Sequence, residues 1–203
     1  CGAYLAAIRS IGRTEEYFYM PVFESAAMIP PQTRREALTE VRAQLDTVSG
    51  SILNIRVGGN DLSHAFGLRR PANRTIYDLR PVADILIDIV AAFGTQYVVS
   101  GPVWEYYSGE GWEEGLRREM ELDLLNGFTG KTVIHPNQIP VVNEMLRVSQ
   151  RDYADARAIL NWDTGSGSLV SASEDGGRMN EYNTHSRWAR RIVLRAERYG
   201  VRA

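Results

Sequence analysis

The sequence lacks most of the residues and patterns that usually announce a chemistry. Cysteine occurs once, at Cys1, which excludes a disulfide within the chain and a zinc site built on cysteines. The absence of bridges fits a reducing compartment, and a cytoplasmic protein is expected. Lysine is nearly absent: of 23 basic residues, Lys131 is the only lysine and the rest are arginine. The histidines, His64, His135 and His185, show no metal-binding spacing. There is no basic surplus: a net charge of −2 and a pI of about 6.0 argue against a nucleic-acid partner. No apolar run is long enough to cross a bilayer; the one from Ile85 to Ala92 is broken by Asp88. No Gly-x-Gly-x-x-Gly loop occurs, and Gly130-Lys131-Thr132 lacks the upstream glycine of a phosphate loop and runs into a strand pattern. The chain opens without an initiator methionine, inside what reads as a helix, so a piece of a longer protein is expected.

What is present is an ordinary globular composition, 44% hydrophobic and 24% charged over 203 residues. A helix end is expected over residues 3–12, closed by Gly12. Runs rich in aromatic and β-branched residues predict strands at Tyr17–Phe23, Ser51–Val57, Gln96–Ser100 and Lys131–His135. Between them, apolar residues at helical spacing predict helices from Pro31 to about Gly50, Asp78 to Phe93 and Trp112 to Asn126. Gly94 is the expected helix cap, and Gly58 to Thr75 reads as a polar loop. Further helices are expected at Ile139–Leu146 and Asp152–Leu160. Strands separated by helical crossovers imply a parallel sheet in an α/β fold. The segment Asp163–Ser168 has linker composition. A hairpin-like stretch at Leu169–Met179 and an arginine-rich helix at Thr184–Tyr199 follow it. The division is therefore 1–162 and a linker plus tail over 163–203.

In parallel α/β folds chemistry sits at the carboxyl ends of the strands. Those ends carry Glu24, Asp61, Ser100-Gly101-Pro102 and His135-Pro136. Two carboxylates from neighbouring strand ends suit Mg²⁺, which takes few protein carboxylates and fills its shell with water and substrate oxygens. Gly58 and Gly59, lacking a Cβ, let the backbone approach a small anionic ligand. Taken singly, Asp61 also fits a turn and Glu24 a surface carboxylate. A Schiff-base aldolase needs an amine in the pocket. Lys131, at the start of its expected strand, would lie roughly 13 Å from the rim at 3.3 Å per residue. It is expected to be structural or solvent-facing; if the chain cleaves carbon–carbon bonds, a metal must then stabilise the enolate. His135 fits a fixed turn beside Pro136 better than a general base. The tail arginines read as a solvated face.

Several runs resemble a known family. Gly127-Phe-Thr-Gly-Lys-Thr-Val-Ile-His-Pro-Asn-Gln-Ile139 with Val142-Asn-Glu-Met145, Pro21-Val-Phe-Glu-Ser25, Gly58-Gly-Asn-Asp-Leu62 and Ser100-Gly-Pro102 occur in the order of the citrate lyase β-subunit-like family. That family includes malyl-CoA lyases and, more distantly, HpcH/HpaI aldolases. The likeness is greatest to a divergent branch found beside tellurium-resistance genes. The resemblance implies an α/β fold, the C-terminal half of a (β/α)₈ TIM barrel (strands five to eight) plus a helical tail, with the N-terminal half missing. It implies a Mg²⁺-dependent carbon–carbon lyase acting on a 2-keto or hydroxy acid, with a coenzyme A thioester as a candidate substrate. Glu24 and Asp61 would hold the metal, and Gly58, Gly59, Asn60 and Pro102 would bind substrate. Asp175-Gly-Gly-Arg-Met-Asn-Glu181 resembles the family's tail motif, making Glu181 the candidate acid or base in place of an Asp. A homo-oligomer, trimer or hexamer, without nucleic-acid or membrane partners is expected. The residues in hand would be inactive by themselves. The alternatives are a non-catalytic binding or assembly subunit on the same scaffold, and an enolising enzyme that grips phosphorylated substrates with Arg69 and Arg70.

Overall fold

The computed structural model describes residues 17–163 and 170–202, together with Ala3, Ala6, Ala7 and Ser10, which are helical. The rest of the expected 3–12 helix, and the expected linker beyond Asp163, lie outside the described residues. The chain divides into two compact units, residues 1–142 and 143–203. No helix among the described residues is long and apolar enough to cross a membrane.

The first unit is built on a parallel sheet in the order β1 (Val22–Phe23), β2 (Ile55–Val57), β3 (Val99–Ser100). Its helices are α1 (Pro31–Asp46), α2 (Gly59–Ala65), α3 (Arg80–Phe93), α4 (Trp112–Leu125) and α5 (Gln138–Met145), which runs into the second unit. Alternation along the strands divides the sheet into two faces. Phe23, Ile55, Val57 and Val99 are buried in one core with Leu38 and Leu45 of α1 and Ile85, Leu86, Ile89 and Phe93 of α3. Each such side chain contributes on the order of 1.5–3 kcal/mol by leaving water. Met20, Val22 and Val98, on the opposite face, are exposed. The strands are shorter than their apolar runs imply; outside them Tyr19 and Ile52 make one isolated parallel bridge.

Three details depart from the sequence pattern. Gly58–Thr75 is not all loop, because Gly59–Ala65 forms α2. Gly94 does end α3, but with φ −65 rather than in the left-handed region; a Cβ there would meet the Val90 carbonyl at 2.8 Å. Lys131–His135 is not a strand. Gly127, at φ +94, releases the chain from α4 early. The ladder beside β3 is made instead by Thr129 N–H to the Val99 carbonyl (2.7 Å), Gly101 N–H to Gly130 (3.0 Å) and Thr132 N–H to Gly101 (3.2 Å). Gly101 pairs with Lys131, and Val133 and Ile134 are exposed beyond the ladder.

The second unit contains β4 (Val148–Ser149), α6 (Gln150–Leu160), β5 (Val170–Ala172), β6 (Met179–Glu181), α7 (Tyr182–Tyr199) and β7 (Val201–Arg202). Ala156 and Ile159 of α6 pack on Ala189, Ile192 and Ala196 of α7. β4 pairs in parallel with β7, and β5 and β6 form the expected antiparallel hairpin. Arg178 ties that hairpin to α6, pairing with Asp152 (2.9 Å) and Asp155. Asn180 donates to the same Asp155 at 3.1 Å. Helix α6, placed by the sequence reading before the 162/163 division, is therefore packed with the tail.

Candidate active site

The register fixes which residues share a level at the carboxyl end of the sheet. Phe23 pairs with Val57, Ile55 with Val99, Arg56 with Ser100, and Gly101 with Lys131. Glu24, Gly58, Pro102 and Thr132 each come one residue later, so they form one row at the rim. Asp61 lies in the first turn of α2, three residues past that row. The carboxylates of Glu24 and Asp61 therefore follow adjacent parallel strands. Both residues are exposed, and neither carboxylate has a hydrogen-bond or ion-pair partner among the described residues.

The backbone between them is built for close approach. The Glu24 side chain packs so tightly on Gly58 that a Cβ there would lie 2.4 Å from its Oε2. A Cβ on Gly59 would meet Pro102 at 2.7 Å and Ile76 at 2.5 Å, so buried Pro102 braces the start of α2. The first helical bond closes from Leu62 N–H to the Gly58 carbonyl at 3.0 Å. Asn60 is exposed, and its Oδ1 accepts from Arg70 at 3.3 Å.

A metal at this rim would have few protein ligands. No group of three or more His, Cys, Asp or Glu is gathered among the described residues. Two free carboxylates with room for water and substrate oxygens fit a hard cation such as Mg²⁺, not a closed zinc site.

Lys131 is structural, but not for reasons of distance. It stands level with Gly101 at the rim rather than roughly 13 Å below it. Its side chain is wholly buried, with Nζ 2.7 Å from both Glu119 Oε1 and Asp123 Oδ2 of α4. The buried ammonium, held by two carboxylates, ties its segment to α4, while Val133 and Ile134 stay exposed. It also has no free amine for a Schiff base. Burial raises the Asp123 carboxyl above its ordinary range against the pull of Lys131. Burial and the neighbouring Asp123, to which its hydroxyl donates at 2.6 Å, raise Tyr77 far above the usual phenol range.

The same cluster consumes Arg70. It is buried, with Nε 3.0 Å from Glu119 and Nη2 2.5 Å from the Val103 carbonyl, over the Trp104 ring. Arg70 is thus unavailable to grip a phosphate. Arg69 is exposed but paired with Glu105 at 3.1 Å. The reading that used these two arginines on phosphorylated substrates loses its basis.

His135 sits in a fixed turn. Its Nδ1 accepts from Asn137 N–H at 3.2 Å, and its ring stacks on Tyr107 at 4.3 Å. Gln138, buried in the same motif, donates to the carbonyls of Trp104 (2.8 Å) and Tyr106 (2.9 Å) and accepts from Ile134 N–H (3.0 Å). The motif therefore holds the loop that follows β3. Ser100 accepts from Asn54 and donates to the Ile55 carbonyl, both at 3.4 Å. Glu181, half-buried in the second unit, has its backbone N–H on His185 Nδ1 at 3.0 Å. Its carboxylate has no partner among the described residues.

Sequence reasoning missed Arg56. It projects from the exposed face of β2, and its Nε donates to Thr132 Oγ1 at 3.4 Å. The signal was available as a charged residue between Ile55 and Val57 at a strand's carboxyl end. It also missed Glu119 and Asp123, whose partners are distant in sequence.

A parallel sheet with helices on one face and free carboxylates past its strand ends is the layout of barrel enzymes, which work at that end. The chain belongs to the carbon–carbon bond lyases of the TIM-barrel fold, whose family model matches residues 1–201. An L-malyl-CoA/beta-methylmalyl-CoA lyase of Cereibacter sphaeroides is 38% identical over 74 residues, 36% of this chain and 22% of that enzyme. The protein CitE of Mycobacterium tuberculosis, solved with magnesium, acetoacetate and coenzyme A, superposes with a TM-score of 0.54 at 25% identity. That match covers 72% of this chain and 53% of CitE. A citrate lyase of Burkholderia xenovorans LB400 shares the fold, with a TM-score of 0.66 at 18% identity over 98% of this chain and 58% of its own. The chain thus spans little more than half the length of these structures.

Proposed function

We propose that the protein is a Mg²⁺-dependent lyase that cleaves or forms a carbon–carbon bond in a 2-keto or hydroxy acid, with a coenzyme A thioester as one substrate form. The observation that carries this reading is the pair Glu24 and Asp61, exposed after neighbouring strands and unpartnered among the described residues. CitE, with its bound magnesium, acetoacetate and coenzyme A, supports the cofactor and substrate class.

Glu24 and Asp61 would hold the cation. When bound, it would polarise the carbonyl and carboxylate oxygens of the keto acid and stabilise negative charge as the bond breaks. Gly58 and Gly59 keep the rim free of side chains, and Pro102 braces the first turn of α2. The backbone near Gly59 and Asn60 then orients the substrate. Glu181 takes the proton-transfer role, from the tail of a neighbouring subunit in a cytoplasmic homo-oligomer. The exposed Met20, Val22 and Val98 support a further element: the sheet is one side of a barrel, its strands five to eight, whose other strands cover this face.

Isothermal titration with Mg²⁺ and oxaloacetate tests the reading. Cation-dependent binding is expected for the wild type and its loss for Asp61→Ala. Unchanged binding in that variant would remove the metal assignment and favour a non-catalytic subunit.

A further inference from the structure

On the first unit's exposed sheet face, Arg56 has no carboxylate partner among the described residues. Arg56 lies between Val22 on β1 and Ser100 on β3, two residues below Glu24 and Gly58 and next to them on that face. Its hydrogen bond crosses β3 to reach Thr132, in the rim row itself. The Arg56 side chain therefore runs over β3 and toward the strand ends. Its Nε is thereby hydrogen-bonded to a residue that stands level with Glu24 and Gly58.

Its surroundings differ from those of its neighbours. Arg34, Arg42, Arg69, Arg70, Arg74 and Arg80 each have a carboxylate partner, and Arg35 and Arg118, which have none among the described residues, are exposed. Arg56 has only the Thr132 hydroxyl among the described residues, at a long 3.4 Å. It is half-buried beside Val22, where a full charge without a counterion is costly. A guanidinium carries five donors in a planar fork matched to a carboxylate, and Thr132 uses one.

We propose that Arg56 is a carboxylate-binding residue of the site, taking a carboxylate of the acid substrate beside Thr132, below the Glu24 row. This deepens the lyase reading above and rests on it for the position of the metal. It assigns the substrate an anionic group on the inner side of the cation and makes Arg56 and Thr132 the receptor for it.

The test uses Mg²⁺ alone and oxalate as probes, titrated calorimetrically into wild type, Arg56→Gln, Arg56→Lys and Asp61→Asn. The proposal predicts wild-type Mg²⁺ affinity in Arg56→Gln, with oxalate affinity lowered at least about tenfold, the loss expected for a hydrogen bond to a charged group. Arg56→Lys, which keeps the charge without the fork, should fall between. Oxalate binding in Arg56→Gln equal to wild type, or no oxalate binding in any form, overturns the proposal. Oxalate binding that depends on Arg56 but not on Mg²⁺ or Asp61 supports the carboxylate receptor while overturning the metal reading, so the two failures are distinguishable. Thermal melts of the Arg56 variants matching wild type keep a loss of affinity from being read as unfolding.

Discussion

The first unit holds two sets of carboxylates that differ in what surrounds them. Glu119 and Asp123 are buried on α4, behind the sheet, and bonded to Lys131, Arg70, Tyr77 and the Ile76 N–H. Glu24 and Asp61 stand past the strand ends, exposed and without partners among the described residues. In the first set the charges are neutralised within the fold, so the acids serve architecture. They tie α4 to the chain before α3, to the Val103 loop and to the Lys131 segment. In the second set the fold supplies position and leaves the charge unsatisfied, which is the condition for binding a cation.

That contrast is broken most severely at Lys131. Lys131→Met would leave two buried carboxylates facing each other and should lower unfolding free energy by about 3–5 kcal/mol in urea melts. A loss below 1 kcal/mol would mean the cluster is not the anchor described. Gly59→Ala should cost about 1–3 kcal/mol, because its methyl would overlap Pro102 and Ile76. It should also weaken Mg²⁺ binding by displacing Asp61, measurable in the same preparation. Glu24→Gln and Asp61→Asn should each change stability by no more than about 0.5 kcal/mol, as expected at an exposed position without partners.

The smallest effect concerns Asp78. The Thr75 backbone N–H donates to it at 2.7 Å and holds its carboxyl below its ordinary value of 3.8. A depressed folded-state value gives stability that is present above 3.8 and lost as pH falls through the folded value. Asp78→Asn should therefore flatten the acid limb of a melting-temperature profile below about pH 4. An unchanged acid limb would assign the effect elsewhere.

These regions also differ in how readable they were. Helices α1, α3, α4 and α7 follow their apolar spacing, since one face of each must be buried. Glu24 and Asp61 were visible because a strand pattern ended just before each. Helix α2 was hidden because Gly58-Gly-Asn-Asp61 reads as a turn; its first turn is held by Pro102, far along the chain. The Lys131 segment was misplaced by its β-branched residues. What sets its register is a pair of ion pairs to α4, 8 and 12 residues back, which no periodicity reports. Arg70 and Glu119 are 49 residues apart, so their bond was equally invisible.

The most direct measurement is a titration with Mn²⁺ as a paramagnetic stand-in for Mg²⁺, following the free-ion signal by electron paramagnetic resonance. The account predicts one site in the wild type, its loss in both Glu24→Gln and Asp61→Asn, and melting temperatures close to wild type for both variants. Binding retained in both variants, or no binding in the wild type, would contradict the claim that the unpartnered carboxylates are the metal site.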